Sequence, residues 1–170
     1  LLYRTISGVG DKEALGIVVF FAAFYFYVLA VKSEHKYGYL NGLIAGIFTA
    51  LLGSVWGGVN FIFLIIGVTT LLKLVTDNLE KKYFYAYVLW WFSTFILLNE
   101  FYPSYYSFKA IFISFTSQIT FIVLIGSFIY LLINDFKIFN IKNKIKGDNY
   151  PIGITSIIIL TILGIIFFPL

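Results

Sequence analysis

The chain is 170 residues long, with 61% hydrophobic residues, 12% charged residues and a formal net charge of +4. A soluble domain carries about a quarter of its residues as charges, and this apolar fraction is too large to hide inside one globule of this length. Composition therefore excludes a water-soluble fold and predicts an all-α integral membrane protein in which lipid solvates much of the surface.

Bilayer hydrocarbon is roughly 30 Å thick, so a spanning helix needs about 20 mostly apolar residues. Six stretches meet that need, at about 15–31, 39–55, 60–76, 83–98, 110–133 and 152–168, and residues 1–170 form one transmembrane helical domain. None shows the strict alternation of a transmembrane β-strand. Many of their residues are β-branched or aromatic and would favour strands in water. In lipid each backbone group must be satisfied within its own segment, and that favours helices.

The first predicted helix is preceded by Gly10-Asp11-Lys12-Glu13, whose acidic groups complement a helix N-terminus. It is followed by Lys32-Ser33-Glu34-His35-Lys36, which holds the one histidine of the chain. A lone histidine beside one glutamate cannot furnish the three or four ligands of a metal site, so the segment reads as a solvated turn.

The second predicted helix carries Gly38, Gly42 and Gly46 at four-residue spacing, hence on one face. Gly53 and Gly57 repeat the spacing at its far end. Such a face lets another helix backbone approach closely, either within this bundle or as a groove for a partner helix. Ser54, Trp56 and Gly57-Gly58 form an expected tight hairpin with an interfacial tryptophan.

Asn60 opens the third helix. Lys73, Asp77, Asn78, Glu80, Lys81 and Lys82 close it as a plain charged boundary. The fourth helix places Trp90-Trp91 near its middle and ends in Asn99-Glu100-Phe101-Tyr102-Pro103. Asn99 and Glu100 there are candidate ligand or partner contacts against the plainer expectation of an interfacial belt.

Gln118 is the strong hydrogen-bonding side chain well inside the fifth helix. It is expected to bond across to another helix or to contact a ligand. Lys142, Lys144 and Lys146 alternate with apolar residues in the next connection, which suits an anionic lipid leaflet better than nucleic acid.

Lysines orient the chain. Lys32, Lys36, Lys73, Lys81, Lys82, Lys137, Lys142, Lys144 and Lys146 fall in one set of alternating connections, and Arg4, Lys12 and Lys109 fall in the other. Basic residues gather on the cytoplasmic side, so the basic connections are expected inside and both termini outside. An outside start in a chain lacking methionine suggests a further helix ahead of Leu1.

Cysteine is absent, which removes disulfides, thiolate metal sites and a cysteine nucleophile. No phosphate-binding loop, zinc-protease motif, serine elbow or carboxylate pair occurs. The expectation is a protein without catalysis, cofactor or metal.

Over Val9–Leu74 the order is an acidic cluster, an apolar helix, a short basic turn, the glycine-spaced helix, the glycine hairpin and a helix containing Ile65-Ile66-Gly67. With Ile6-Ser7-Gly8-Val9-Gly10-Asp11 and Gly42-Leu43-Ile44-Ala45-Gly46, this resembles the rod-shape-determining membrane protein family MreD. The chain departs from the family pattern at Gly10, where a proline is usual, at Ala50, where many members have aspartate, and in its additional last helix. The resemblance implies a multi-pass scaffold in the bacterial cytoplasmic membrane. Such a scaffold would bind the membrane-anchored protein MreC and the peptidoglycan-synthesis proteins of the cell-elongation complex.

The alternative is the substrate-binding S component of an energy-coupling-factor vitamin transporter, which has a similar number of helices. That function would need an external polar pocket for a small molecule, with Asn60, Asn99, Glu100, Tyr102 and Gln118 as candidates. It would also need an alanine-lined docking face, for which Ala22, Ala23 and Ala30 are available.

Overall fold

A computed structural model describes residues 12–107, 109–110, 114–134 and 152–167, the last stretch with side chains as far as Ile159. Every regular element among them is helical. In chain order these are α1 (Lys12–Lys32), α2 (Leu40–Val55), α3 (Val59–Val75), α4 (Lys81–Phe101), the short α5 (Pro103–Tyr106), α6 (Phe115–Asn134) and α7 (Ile152–Phe167).

Two of these, α1 with 21 residues and α6 with 20, are long and apolar enough to cross a membrane. Helices α2 and α3 are apolar but have 16 and 17 residues. Helix α4 has 21 residues, and its tyrosines, tryptophans, Asn99 and Glu100 lower its hydropathy. The described parts of the six apolar stretches are helical over nearly their whole length. Helix α4 begins before Tyr83 and runs past Leu98 to Phe101, and of the expected 110–133 stretch Ala110 and Phe115–Asn134 are helical among the described residues.

Local chemistry explains the ends. Glu13 sits in the first turn of α1 and Lys32 in its last, both favourable to the helix dipole. Turn bonds from Leu40, Asn41 and Gly42 back to Tyr37, Gly38 and Tyr39 extend the coil ahead of α2. Only Trp56-Gly57-Gly58 separates α2 from α3, and Gly58 lies directly under the Trp56 ring. Pro103 starts α5, where its missing N–H costs nothing.

Packing follows sequence neighbours only in part. Helix α2 lies between α1 and α4, α3 packs on α6, and α6 also carries α7. The main core gathers Ala23 and Tyr27 of α1, Leu52 of α2, Phe63 and Ile66 of α3, Trp90 and Phe95 of α4, and Val123 of α6. A smaller cluster closes one end with Leu74, Leu79, Tyr83, Phe84, Tyr130, Leu131, Ile133 and Ile152. Stacking of Phe63 on Phe95 at 5.2 Å joins α3 to α4.

Helix α1 sorts its side chains by size. On α1 the buried positions are Gly16, Val19, Ala23, Tyr27 and Ala30, at helical spacing and mostly small. Val18 and Phe21 on the opposite face are 67% and 66% exposed, while Ala23 is 0% exposed. Helix α6 buries the small residues Ser117, Thr120, Gly126 and Ser127 together with Val123, Tyr130, Leu131 and Ile133, and exposes Phe115, Ile122 and Phe128. Buried polar side chains among the described residues are all serine or threonine.

Candidate functional site

The glycine seam is a contact between α2 and α4. A methyl group at Gly42 would strike the Ala86 carbonyl oxygen, and one at Gly46 would meet the Ser93 side chain and, at 2.6 Å, the Trp90 carbonyl oxygen. Gly53 faces Leu98 in the same helix. Gly38 packs instead on Ser33 within the preceding turn, and Gly57 has open space around it. Thus Gly42, Gly46 and Gly53 act in internal packing, and only Gly57 faces nothing within 4 Å.

Close approach of α2 and α4 sets up a hydrogen-bonded belt. Thr49 Oγ1 donates to the Ala45 carbonyl at 2.8 Å, which turns a lone pair outward. Trp90 Nε1 donates to that lone pair at 3.0 Å. Thr120 repeats the device on α6, donating to the Ser117 carbonyl at 2.7 Å and accepting from Trp91 Nε1 at 3.2 Å. Tyr87 Oη adds a bond to the Thr120 carbonyl at 2.8 Å. Helix threonines bonding their own backbone thus become acceptors for a neighbouring indole, which leaves no indole N–H orphaned in an apolar interior. Thr94 lies 2.7 Å from the Trp90 carbonyl and 3.3 Å from that of Gly46, completing the α2–α4 contact.

The polar residues expected to converge on a ligand do not share one cavity. Asn60 Nδ2 donates to the Gly57 carbonyl at 3.2 Å, and Asn60 Oδ1 accepts from Thr116 at 2.7 Å, so Asn60 joins the start of α3 to α6. Glu100 is exposed and Asn99 half-buried near the end of α4. Gln118 is exposed on the outer face of α6, and the expected cross-bundle bonds are made by Thr120 instead. Two residues on a helix amount to about 200° of rotation, enough to reverse which way a side chain points. Ala23 and Ala30 are buried inside the bundle, so they do not form an external docking face.

Two concavities mark the ends of the bundle. An apolar groove of about 340 Å³ runs between α2 and α4 beside Ala50, Leu51, Ser54, Leu97, Leu98 and Tyr102. A wider, more polar one of about 790 Å³ lies at the opposite end among Lys73, Thr76, Asp77, Asn78, Glu80, Lys81 and Tyr130. There Glu80 pairs with Lys82 at 3.3 Å, and Lys73 Nζ lies 4.9 Å from the centre of the Tyr83 ring. Lys142, Lys144 and Lys146 lie outside the described residues.

Asp77 is no plain boundary residue. It is the one non-glycine with positive φ (56°) among the described residues. It ends α3 with Asn78 N–H bonded to the Lys73 carbonyl at 2.9 Å and its own N–H to Leu74 at 3.2 Å. This pairing places Asp77 where glycine is usual after a helix. Its carboxylate accepts the N–H groups of Ile152 at 2.9 Å and Gly153 at 2.6 Å, the first two residues of α7. Its carbonyl accepts from Tyr130 Oη at 3.1 Å. Sequence alone gives no signal for so distant a pairing beyond the aspartate itself.

No family model, curated protein or solved structure matches the chain. Fold and site define a helical bundle with a closed aromatic and hydroxyl-bonded interior. No cluster of three or more His, Asp or Glu side chains that could hold a metal ion occurs among the described residues.

Proposed function

We propose that the chain is a multi-pass membrane protein of about six spans that serves as a non-enzymatic scaffold, with its basic connections in the cytoplasm. The observation that carries the membrane reading is the size sorting of α1: Gly16, Val19, Ala23 and Ala30 lie inside beside Tyr27, and Val18, Phe21 and Tyr25 lie outside. In water the burial of Leu, Val and Phe drives folding, so those residues belong inside. In lipid both faces are equally well solvated, and association rests on the close packing that small residues permit. Local satisfaction of each buried threonine by its own helix suits the same solvent.

The scaffold reading draws on the bundle's use of its interior. Tryptophan, threonine and glycine are spent on joining α4 to α2 and α6, and the candidate ligand residues point in different directions. Together with the resemblance of Val9–Leu74 to MreD, this favours assembly with other proteins of the cell-elongation complex, MreC-like and peptidoglycan-synthesising, in a bacterial cytoplasmic membrane. No observation favours the vitamin-transporter alternative, whose external pocket would require Asn60, Glu100 and Gln118 to converge.

Two measurements test the proposal. Expressed in a bacterium, the protein should stay in the membrane pellet through alkaline carbonate extraction, and release into the supernatant overturns the membrane reading. Purified from native membrane, it should bring down a single-span partner and cell-wall enzymes. Recovery with an ATPase pair and a bound vitamin would overturn the scaffold reading alone.

A further inference from the structure

We propose that the outer face of α3, with the start of α6 beside it, draws the bilayer thin, so that phospholipid headgroups of the two leaflets stand closer together there than along α1. This rests on the membrane-spanning reading above. Helix α3 turns Phe61, Leu64, Ile65, Val68 and Leu72 outward at helical spacing, which makes one apolar stripe. Thr69 shares that face, but its hydroxyl donates back to the Ile65 and Ile66 carbonyls at 2.8 and 3.0 Å and so is satisfied within the helix.

Two polar groups bound the stripe. Asn60, tied to Gly57 and Thr116, stands at one end, and Lys73 stands at the other. From Asn60 to Lys73 the helix rises about 20 Å, at about 1.5 Å per residue. On α1 the corresponding rise from Glu13 to Lys32 is about 29 Å, close to a hydrocarbon layer of roughly 30 Å. The lysine stem can reach toward the headgroups and recover part of the shortfall. Tilt only enlarges it, because a tilted helix covers less of the membrane normal. Helix α1 fits an undisturbed bilayer and α3 does not.

The register between helices shows where part of the shortfall lies. A methyl group at Gly16, one turn into α1, would lie 3.1 Å from Trp56 Cβ, and the Phe20 ring meets the Trp56 ring edge-on at 6.4 Å. The turn between α2 and α3 is therefore recessed by about one helical turn, roughly 5 Å, below the start of α1. On α6, Thr116 bonds Asn60 at 2.7 Å, and Gln118 lies exposed two residues further along. An amide left in hydrocarbon carries the cost of an unpaired polar group. Headgroups and water drawn down to the level of Asn60 and Thr116 meet it instead. A hydrophobic run that is too short is accommodated by local thinning, and the Lys73 ammonium attracts lipid phosphate from the opposite leaflet. The occupant of this face is thus phospholipid with its headgroups pulled inward.

Immersion depth tests this. Val68→Cys on α3 and Phe21→Cys on α1 each introduce one thiol at an exposed position, because the chain has no cysteine of its own. The full chain is labelled with a nitroxide and reconstituted in dioleoylphosphatidylcholine vesicles. Collision rates with oxygen and with a water-soluble nickel chelate then report depth. The label at Val68 should lie about 4–5 Å shallower than the label at Phe21, given the rise from each residue to its nearer polar bound. Adding Lys73→Leu lengthens the stripe toward Thr76 and should deepen the label at Val68 while leaving the label at Phe21 unchanged. Equal depths at the two positions overturn the thinning. An unchanged depth at Val68 with Lys73→Leu overturns the role of Lys73 as the inner bound. Low collision rates with both reagents at Val68 mean that a protein surface, from a partner or a second copy, covers the face, and they overturn the lipid occupant. A label at Phe21 open to the nickel chelate and not immersed at all refutes the membrane-spanning reading itself, and that result is distinct from the other three.

Discussion

Trp90 and Thr49 are joined across the α2–α4 contact by an indole N–H donated to a hydroxyl oxygen at 3.0 Å, both side chains fully buried. The bond exists because Thr49 has already given its own proton to Ala45. Thr49→Val keeps the shape, removes the acceptor and leaves a buried donor unpaired, which costs about 1–3 kcal/mol. Trp90→Phe removes the donor but also empties volume. A double-mutant cycle read by thermal unfolding should give a coupling of about 0.5–3 kcal/mol, and additivity of the two changes would deny the bond a role.

Gly42 and Gly57 make a matched pair on one helix and its turn. Gly42 lies on the Ala86 backbone, whereas Gly57 faces open space. Gly42→Ala forces two backbones apart and should destabilise the bundle by about 1–3 kcal/mol; Gly42→Leu should separate α2 from α4 outright. Gly57→Ala should change stability little. Equal effects of the two alanine variants in a detergent thermal melt would contradict the seam.

Val18 tests the outward face of α1. In a lipid environment Val18→Lys places a charge in hydrocarbon, worth about 2.5–3.5 kcal/mol against insertion at a helix centre. Membrane-integrated yield should fall sharply, measured against Lys12→Ala at the helix start. A yield equal to the parent chain would mean that this face meets water.

Tyr106 supplies a pH dependence. Burial pushes its phenol above the ordinary value of 10.0, because the phenolate is poorly solvated there. Below that value the phenol is neutral whether the chain is folded or unfolded, and stability is unaffected by it. As pH rises past 10.0 the unfolded chain loses the proton first, so folding weakens until the folded pKa is passed. Tyr106→Phe should flatten this alkaline loss, followed by unfolding midpoint against pH.

Much of this architecture can be derived from residue pattern. Apolar runs locate α1, α2, α3 and α7 to within about three residues, because each is bounded by charge, glycine or a turn. The glycine spacing of α2 marks a close-packed face, but spacing cannot say which helix fills it, and α4 does. Gln118 and Thr120 reverse the expected roles. Amide strength suggests the glutamine as the cross-bundle link, yet helical phase turns it outward and gives the task to a threonine. The Asp77 contact joins residues 75 apart. No local periodicity encodes it, and a charged residue after a helix reads as ordinary until the third dimension is known.

Because α2 is gripped by α4 and not by α3, assembly has an imposed order. The hairpin of α1 with α2 can form as soon as both have left the ribosome. The tighter glycine contact must wait until α3 has been threaded past it and α4 has emerged. A chain interrupted after α3 would therefore present an open seam along Gly42 and Gly46, with two backbones' worth of close contact still unmade.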